Sequence, residues 1–178
     1  MSPCRDELPT LPGEVFDLRP ALEGEVRAVV EQITKDPVAG DWWGLDPDTI
    51  MRWFADDDVC VLLVDDHSGP IGLITYTEVH DWDYHSAGID IGLLSGTTGR
   101  GIGTAALRRL AVYLFDVRGH HRLTIDPAFA NEHAVRAYEK VGFKRIGVAR
   151  EYERGNDGEY HDGLLMDMLR EDLTEGAA

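Results

Sequence analysis

The order of apolar patterns along the chain predicts an α+β domain: a single mixed, mostly antiparallel sheet flanked by helices, with one parallel crossover. Three observations predict it. Two apolar runs, residues 59–64 and 71–79, are joined by a turn-rich stretch and read as a hairpin. A third short run, residues 89–94, passes through a Gly-rich turn into helical spacing at Ile102, Ala106, Leu110 and Leu114. Beyond it the pattern runs strand, helix, strand, strand, which requires a parallel connection in the middle of the sheet.

Each element has its own local signal. Residues 15–18 read as a first short strand. Leu22, Val26, Val29, Val30 and Ile33 give residues 21–35 an amphipathic helical face, ended by Pro37 and Gly40. Asp41-Trp42-Trp43-Gly44 reads as a loop. Residues 47–54 form a short helix, with Asp46 as N-cap and Pro47 at its first position. Residues 65–70 are the hairpin turn, and residues 81–86 a polar and aromatic loop. Arg118-Gly119 closes the helix after the glycine turn. Residues 122–126 alternate as a strand stopped by Pro127. Asn131 caps a helix carrying Ala134, Val135, Tyr138 and Val141, and Gly142 suits its left-handed terminus. Residues 143–149 and 164–169 are the last two strands, joined through Gly155-Asn156-Asp157-Gly158.

Length and composition bound the function. The 178 residues suffice for one domain with a substantial core, spanning 1–178 with residues 1–13 as a flexible N-terminus. There is no internal repeat or low-complexity tract. No apolar run is long enough to cross a membrane, and the N-terminus lacks the apolar centre of a signal peptide. Cys4 and Cys60 give neither a disulfide framework nor zinc spacing, so the cytoplasm is the expected compartment and Cys60 reads as a small core residue. The scattered histidines add no ligand cluster, and His120-His121 reads as solvated, so no metal is expected. The formal net charge of −16 repels nucleic acid and draws cations. A monomer or homodimer is expected.

The glycine turn contains Gly96, Gly99, Gly101 and Gly103, with Arg100 inside it. Helix N-termini present unpaired N–H groups and partial positive charge, and glycine lets an anion approach the backbone, so the turn reads as a phosphate site. The simpler alternative is a flexible connection. The spacing is neither the dinucleotide fingerprint nor a P-loop. It resembles the pyrophosphate loop of the GNAT superfamily of N-acetyltransferases, Gln/Arg-x-x-Gly-x-Gly/Ala, with Thr98 in the first position. Asn131, Ala134, Tyr138 and Gly142-Phe143 resemble the family's N-x-x-A-x-x-x-Y-x-x-x-G-F signature, one helix and one strand downstream. Together they cover most of the chain, from Val15 to Leu169. Asp41-Trp42-Trp43-Gly44, Gly69-Pro70-Ile71-Gly72, Gly88-Ile89-Asp90 and the Asp126 to Phe143 block look like the aminoglycoside 6′-N-acetyltransferases. The C-terminal hairpin is more like members acting on ribosomal proteins and general small amines.

The resemblance implies acetyl-CoA as donor and an amine as acceptor. The pyrophosphate would sit on the amides of Gly99, Arg100, Gly101, Ile102, Gly103 and Thr104. Ile91, Gly92 and Leu93 would pair with the pantetheine arm as a short extra strand. A bulge at Gly92 or Leu94-Ser95 would open the sheet, and the N–H of Ile91 or Leu93 would hold the thioester oxygen. Tyr138 matches the acid that protonates the leaving sulfur; a phenol with a pKa of about 10 keeps its proton at pH 7. It reads equally as a core aromatic. Asn131 would bond the CoA arm. Asp90 and Asp126 match acids that hold the acceptor ammonium and relay its proton; as plain residues they read as a strand-edge ion pair and a turn residue. Glu78, Asp81 and Trp82 with Trp42 and Trp43 would line a cationic sugar site. The expected acceptor is the 6′-amine of an aminoglycoside. A protein N-terminus, a polyamine or another small amine is the alternative, and a non-catalytic acyl-CoA-binding module a third.

Overall fold

The computed structural model describes residues 8–42, 47–97 and 99–174. Seven strands follow the order β1-β2-β3-β4-β5-β7-β6 in one mixed sheet, as the sequence predicts. The chain divides into two compact units, residues up to Glu78 with Asp90–Ile102, and Val79–Ile89 with the chain from Gly103 onward.

In the first unit, β1 (Asp17–Pro20), β2 (Val59–Asp65) and β3 (Pro70–Val79) are successively antiparallel. β1 begins two residues later than the sequence suggests. Leu18 pairs with Val64 and is fully buried, and Pro20, which cannot donate to a ladder, is tolerated at the end of this outermost strand. The Arg19 guanidinium bonds both Asp65 and Glu25, which pins β1 to its neighbours and holds the arginine fully charged. Helix α1 (Glu23–Lys35) turns Val26, Val29, Val30 and Ile33 inward. They form one apolar cluster with Ile50, Val59, Val61, Leu63 and Leu73, against which Trp53 packs as a partly buried anchor. Replacing a fully buried member such as Ile50 by alanine removes about 2–5 kcal/mol.

The Asp41-Trp42 segment is not a loop: Ala39–Trp42 is a short helical turn, α2. Asp36 causes it, since one carboxylate oxygen accepts the N–H groups of Val38 and Ala39. Residues 43–46, with the expected cap Asp46, lie outside the described residues. Helix α3 runs Pro47–Ala55. Cys60 is buried in β2 and disulfide-bonded, where the sequence suggests a reduced core thiol; Cys4 lies outside the described residues.

Strand β4 (Ser86–Leu93), whose residues up to Ile89 belong to the second unit and whose residues from Asp90 belong to the first, starts three residues earlier than its apolar run. Ser86, Ala87 and Gly88 pair in parallel with Arg122, Leu123 and Thr124 of β5 (Arg122–Ile125). Helix α4 (Ile102–Val112) buries Ala106, Leu107, Leu110 and Ala111, then widens into one π turn, Tyr113–Val117, with the Arg118 N–H reaching Tyr113 O. Helix α5 (Glu132–Val141) is capped by Asn131, whose side-chain oxygen accepts the Ala134 N–H at 3.1 Å. Gly142 ends it with φ of +128°, and a Cβ there would fall on Asp172 O. The final hairpin, β6 (Lys144–Arg154) and β7 (Tyr160–Leu169), is longer at both facing ends than its apolar residues suggest, because β6 is exposed almost throughout. β7 also pairs antiparallel with β5. Among the described residues no helix is long and apolar enough to cross a membrane.

Candidate functional site

The strand, glycine turn and helix start lie where the sequence puts them. Asp90 is half-buried in β4, and its Oδ1 accepts the Ile91 N–H at 2.8 Å. Of the two amides considered for an acyl oxygen, that of Ile91 is therefore engaged. Gly92 is buried, and Leu93 half-buried. A Cβ on Gly72 would strike the carbonyl oxygen of Gly92 and come within 3.0 Å of Leu93 Cα, so β3 approaches this end of β4 with no room for a side chain. The parallel register with β5 covers only Ser86 to Gly88, upstream of the bulge positions suggested at Gly92 and Leu94-Ser95.

The turn after β4 is held by a residue the sequence does not single out. Asp36 Oδ2 accepts both the N–H and the hydroxyl of Ser95, at 3.0 and 2.8 Å. With four hydrogen bonds converging on it, led by those from Ala39 and Val38, its carboxyl is held far below the usual carboxylate range. Gly99 and Gly101 both have positive φ, +75° and +76°, and a Cβ on either would meet open space. These two need glycine for their backbone angle and not for packing. The result is an exposed run from Gly99 to Gly101, with Arg100 on it, leading straight into the N-terminus of α4 at Ile102, Gly103 and Thr104. The amides of a left-handed glycine turn and a helix start, with a guanidinium beside them, fit a pyrophosphate. Thr98 and Trp43 lie outside the described residues.

In the second unit, Tyr138 sits on α5 with 9% of its surface exposed, its ring 6.3 Å from that of Phe143. Asp126 is exposed at the end of β5 and accepts the Tyr152 hydroxyl at 2.6 Å. Holding its proton on Asp126 pushes the Tyr152 phenol up to about 12. Burial and the nearby Asp126 charge push the neighbouring Glu153 carboxyl upward as well. Neither Tyr152 nor Glu153 carries a sequence signal, because a β-bulge decides where each points. Asp81 forms a turn through the N–H groups of Asp83 and Tyr84, and Trp82 is 88% exposed on it. Trp42 is exposed and Glu78 buried, both in the first unit. His120, which the sequence reads as solvated, is buried, with its ring stacked 4.3 Å from that of His85. His121 is exposed as expected.

Comparison with known proteins shows the family and the fold. A family model described as acetyltransferase (GNAT) domain matches residues 16–144, and the chain belongs to that family. Among curated proteins, a kanamycin resistance protein of Rhizobium radiobacter is 39% identical over 62 residues, 34% of this chain. The chain spans 57% of that protein's length. Among solved structures, spermidine N-acetyltransferase from Vibrio cholerae in complex with CoA and spermine superposes with a TM-score of 0.75 at 23% identity, over 90% of this chain and 98% of that one. Ribosomal-protein-S5-alanine acetyltransferase from Vibrio fischeri superposes with a TM-score of 0.77 at 17% identity, over 93% and 99%. At these identities the likeness is one of fold.

Proposed function

We propose that the chain transfers the acetyl group of acetyl-CoA to a primary amine of a polycationic acceptor, with the 6′-amine of an aminoglycoside as the first choice. The observation that carries the donor is the turn at Gly99–Arg100–Gly101, whose two left-handed glycines open a run of amides beside a guanidinium at a helix start. In this reading Gly99 to Thr104 hold the pyrophosphate, and Ile91 to Leu93 hold the arm. The Leu93 amide, and not that of Ile91, receives the acyl oxygen. The cap of α5 engages Asn131 Oδ1; in this reading its Nδ2 is the group offered to the arm. The bound cofactor supplies an activated acyl group as a thioester. Asp126 and Asp90 hold the acceptor ammonium and draw off its proton through water, and Tyr138 protonates the departing sulfur.

For the acceptor, similarity to the kanamycin resistance protein favours an aminoglycoside, and the acidic chain suits any polycation. The second reading keeps the chemistry and changes the acceptor to a polyamine or a protein N-terminus. It is favoured by the fold likeness to the spermidine and ribosomal-protein enzymes and by the long β6–β7 hairpin, all of which but Lys144 lies beyond the matched residues 16–144. Thiol release from acetyl-CoA, followed with kanamycin, tobramycin, spermine and a basic N-terminal peptide, separates the readings. Release with the aminoglycosides alone supports the first. Release with spermine or peptide alone moves the function to the second. CoA binding with no release leaves a binding module.

A further inference from the structure

The hairpin β6–β7 is irregular at one place, and the irregularity is built. Ala149 pairs with Gly163 and Glu153 with His161, so three residues of β6 face the single residue Asp162. Such bulges redirect side chains and are common beside active sites. Glu151, inside the bulge, has φ of +50°, a conformation costly for a residue with a side chain; its N–H is held by Asp162 Oδ1 at 2.8 Å. The next residue, Tyr152, is thereby turned over Gly163, where any Cβ would lie 2.6 Å from the ring. Gly163 is the empty seat for that ring. The chain after β5 is fastened to the same spot: Phe129 N–H donates to Asp162 O and Leu164 N–H to Pro127 O, both at 2.8 Å. Bulge, seat and fastened loop converge on one bond, the 2.6 Å hydrogen bond from the Tyr152 hydroxyl to Asp126 Oδ2.

We infer that Tyr152 is a positioning residue: it fixes the direction of the Asp126 carboxylate, leaving Oδ1 to receive the acceptor ammonium. The inference rests on the reading that Asp126 holds the acceptor. A strained main chain is retained there because an exposed aspartate at a strand end would otherwise sample several rotamers, and each would weaken a directional contact with an ammonium.

The test is a double-mutant cycle on the full chain with Tyr152→Phe, Asp126→Asn and the pair, assayed with kanamycin, tobramycin and spermine. Tyr152→Phe keeps the ring in its seat. It is expected to raise the KM of the acceptor roughly tenfold, with kcat and the KM of acetyl-CoA changed less than about twofold. In the Asp126→Asn background the same substitution should add almost nothing. Gly163→Ala, which displaces the ring, should reproduce the acceptor effect. If Asp126→Asn weakens the acceptor while Tyr152→Phe does not, or the two effects add independently, Tyr152 has no positioning role. A lowered Tm with unchanged acceptor KM would make Tyr152 purely structural. If Asp126→Asn leaves the acceptor KM unchanged, or no acceptor is bound or turned over, the Asp126 reading falls and takes the role of Tyr152 with it.

Discussion

Tyr138 and Asp36 show two ways in which one side chain serves a site. Tyr138 is almost enclosed on α5, beside Phe143, so both readings of it survive: a packed aromatic and a proton donor. Removing only its hydroxyl tells them apart. Tyr138→Phe is expected to lower kcat about 100-fold while the KM of acetyl-CoA stays within about twofold; steady-state thiol release at saturating donor measures both. Asp36 acts at one remove, gathering Val38, Ala39 and Ser95 around one carboxylate. Its pKa is depressed in the folded chain, first by the Ala39 and Val38 amides. A depressed carboxyl stabilises the fold above its unfolded pKa and loses that contribution as pH falls toward the folded value. Asp36→Asn should therefore lower Tm at pH 7, and the gap from the parent chain should close below about pH 4. A gap that stays constant across that range in calorimetry would remove the ionised carboxylate from this role.

At the scale of elements, β3 and the far end of β4 approach so closely at Gly72 that a Cβ there would meet the Gly92 carbonyl and the Leu93 side chain. Gly72→Ala would press a methyl group onto the Gly92 carbonyl and toward Leu93 Cα, and backbone atoms cannot rotate away. Overpacking of this kind costs about 1–3 kcal/mol, which for a chain of this size is a fall in Tm of roughly 2–10 °C. Because Ile91, Gly92 and Leu93 are the proposed seat of the cofactor arm, the KM of acetyl-CoA should also rise several-fold. Gly24→Ala is the contrast: on α1 a Cβ there meets nothing within 4 Å, so Tm should hold or rise slightly. The two melts together test whether the glycine matters for closeness or merely for being glycine. Elements whose signals are local were legible in advance: the Asn131 cap, the Gly142 terminus, the β2–β3 hairpin and the glycine turn into α4. What escaped depends on partners distant in sequence. α2 follows from Asp36 as a cap, β4 begins at Ser86 because β5 lies beside it, and His120 is buried by stacking on His85. The bulge that turns Tyr152 toward Asp126 is a mismatch in register between two strands, and neither strand's own residues announce it.

For the whole molecule, the net charge of −16 acts on the two proposed substrates with opposite sign. A polycationic acceptor is drawn in by that field, whereas a donor bearing phosphates is repelled and depends on the local turn with Arg100 to offset the repulsion. Salt screens the long-range field more than the short contacts within the turn, since the Debye length is about 10 Å at 0.1 M and about 30 Å at 0.01 M. Raising ionic strength from about 0.02 to 0.2 M should therefore raise the KM of an aminoglycoside or polyamine acceptor several-fold. Over the same range the KM of acetyl-CoA should stay level or fall. Arg100→Gln should reverse part of this balance, raising the KM of acetyl-CoA most at low salt, where the field of the acidic chain is screened least. Steady-state assays across a potassium chloride series read all three trends. An acceptor KM indifferent to salt would mean that the acidic residues serve solubility alone, and would turn the search toward an acceptor that is not a polycation.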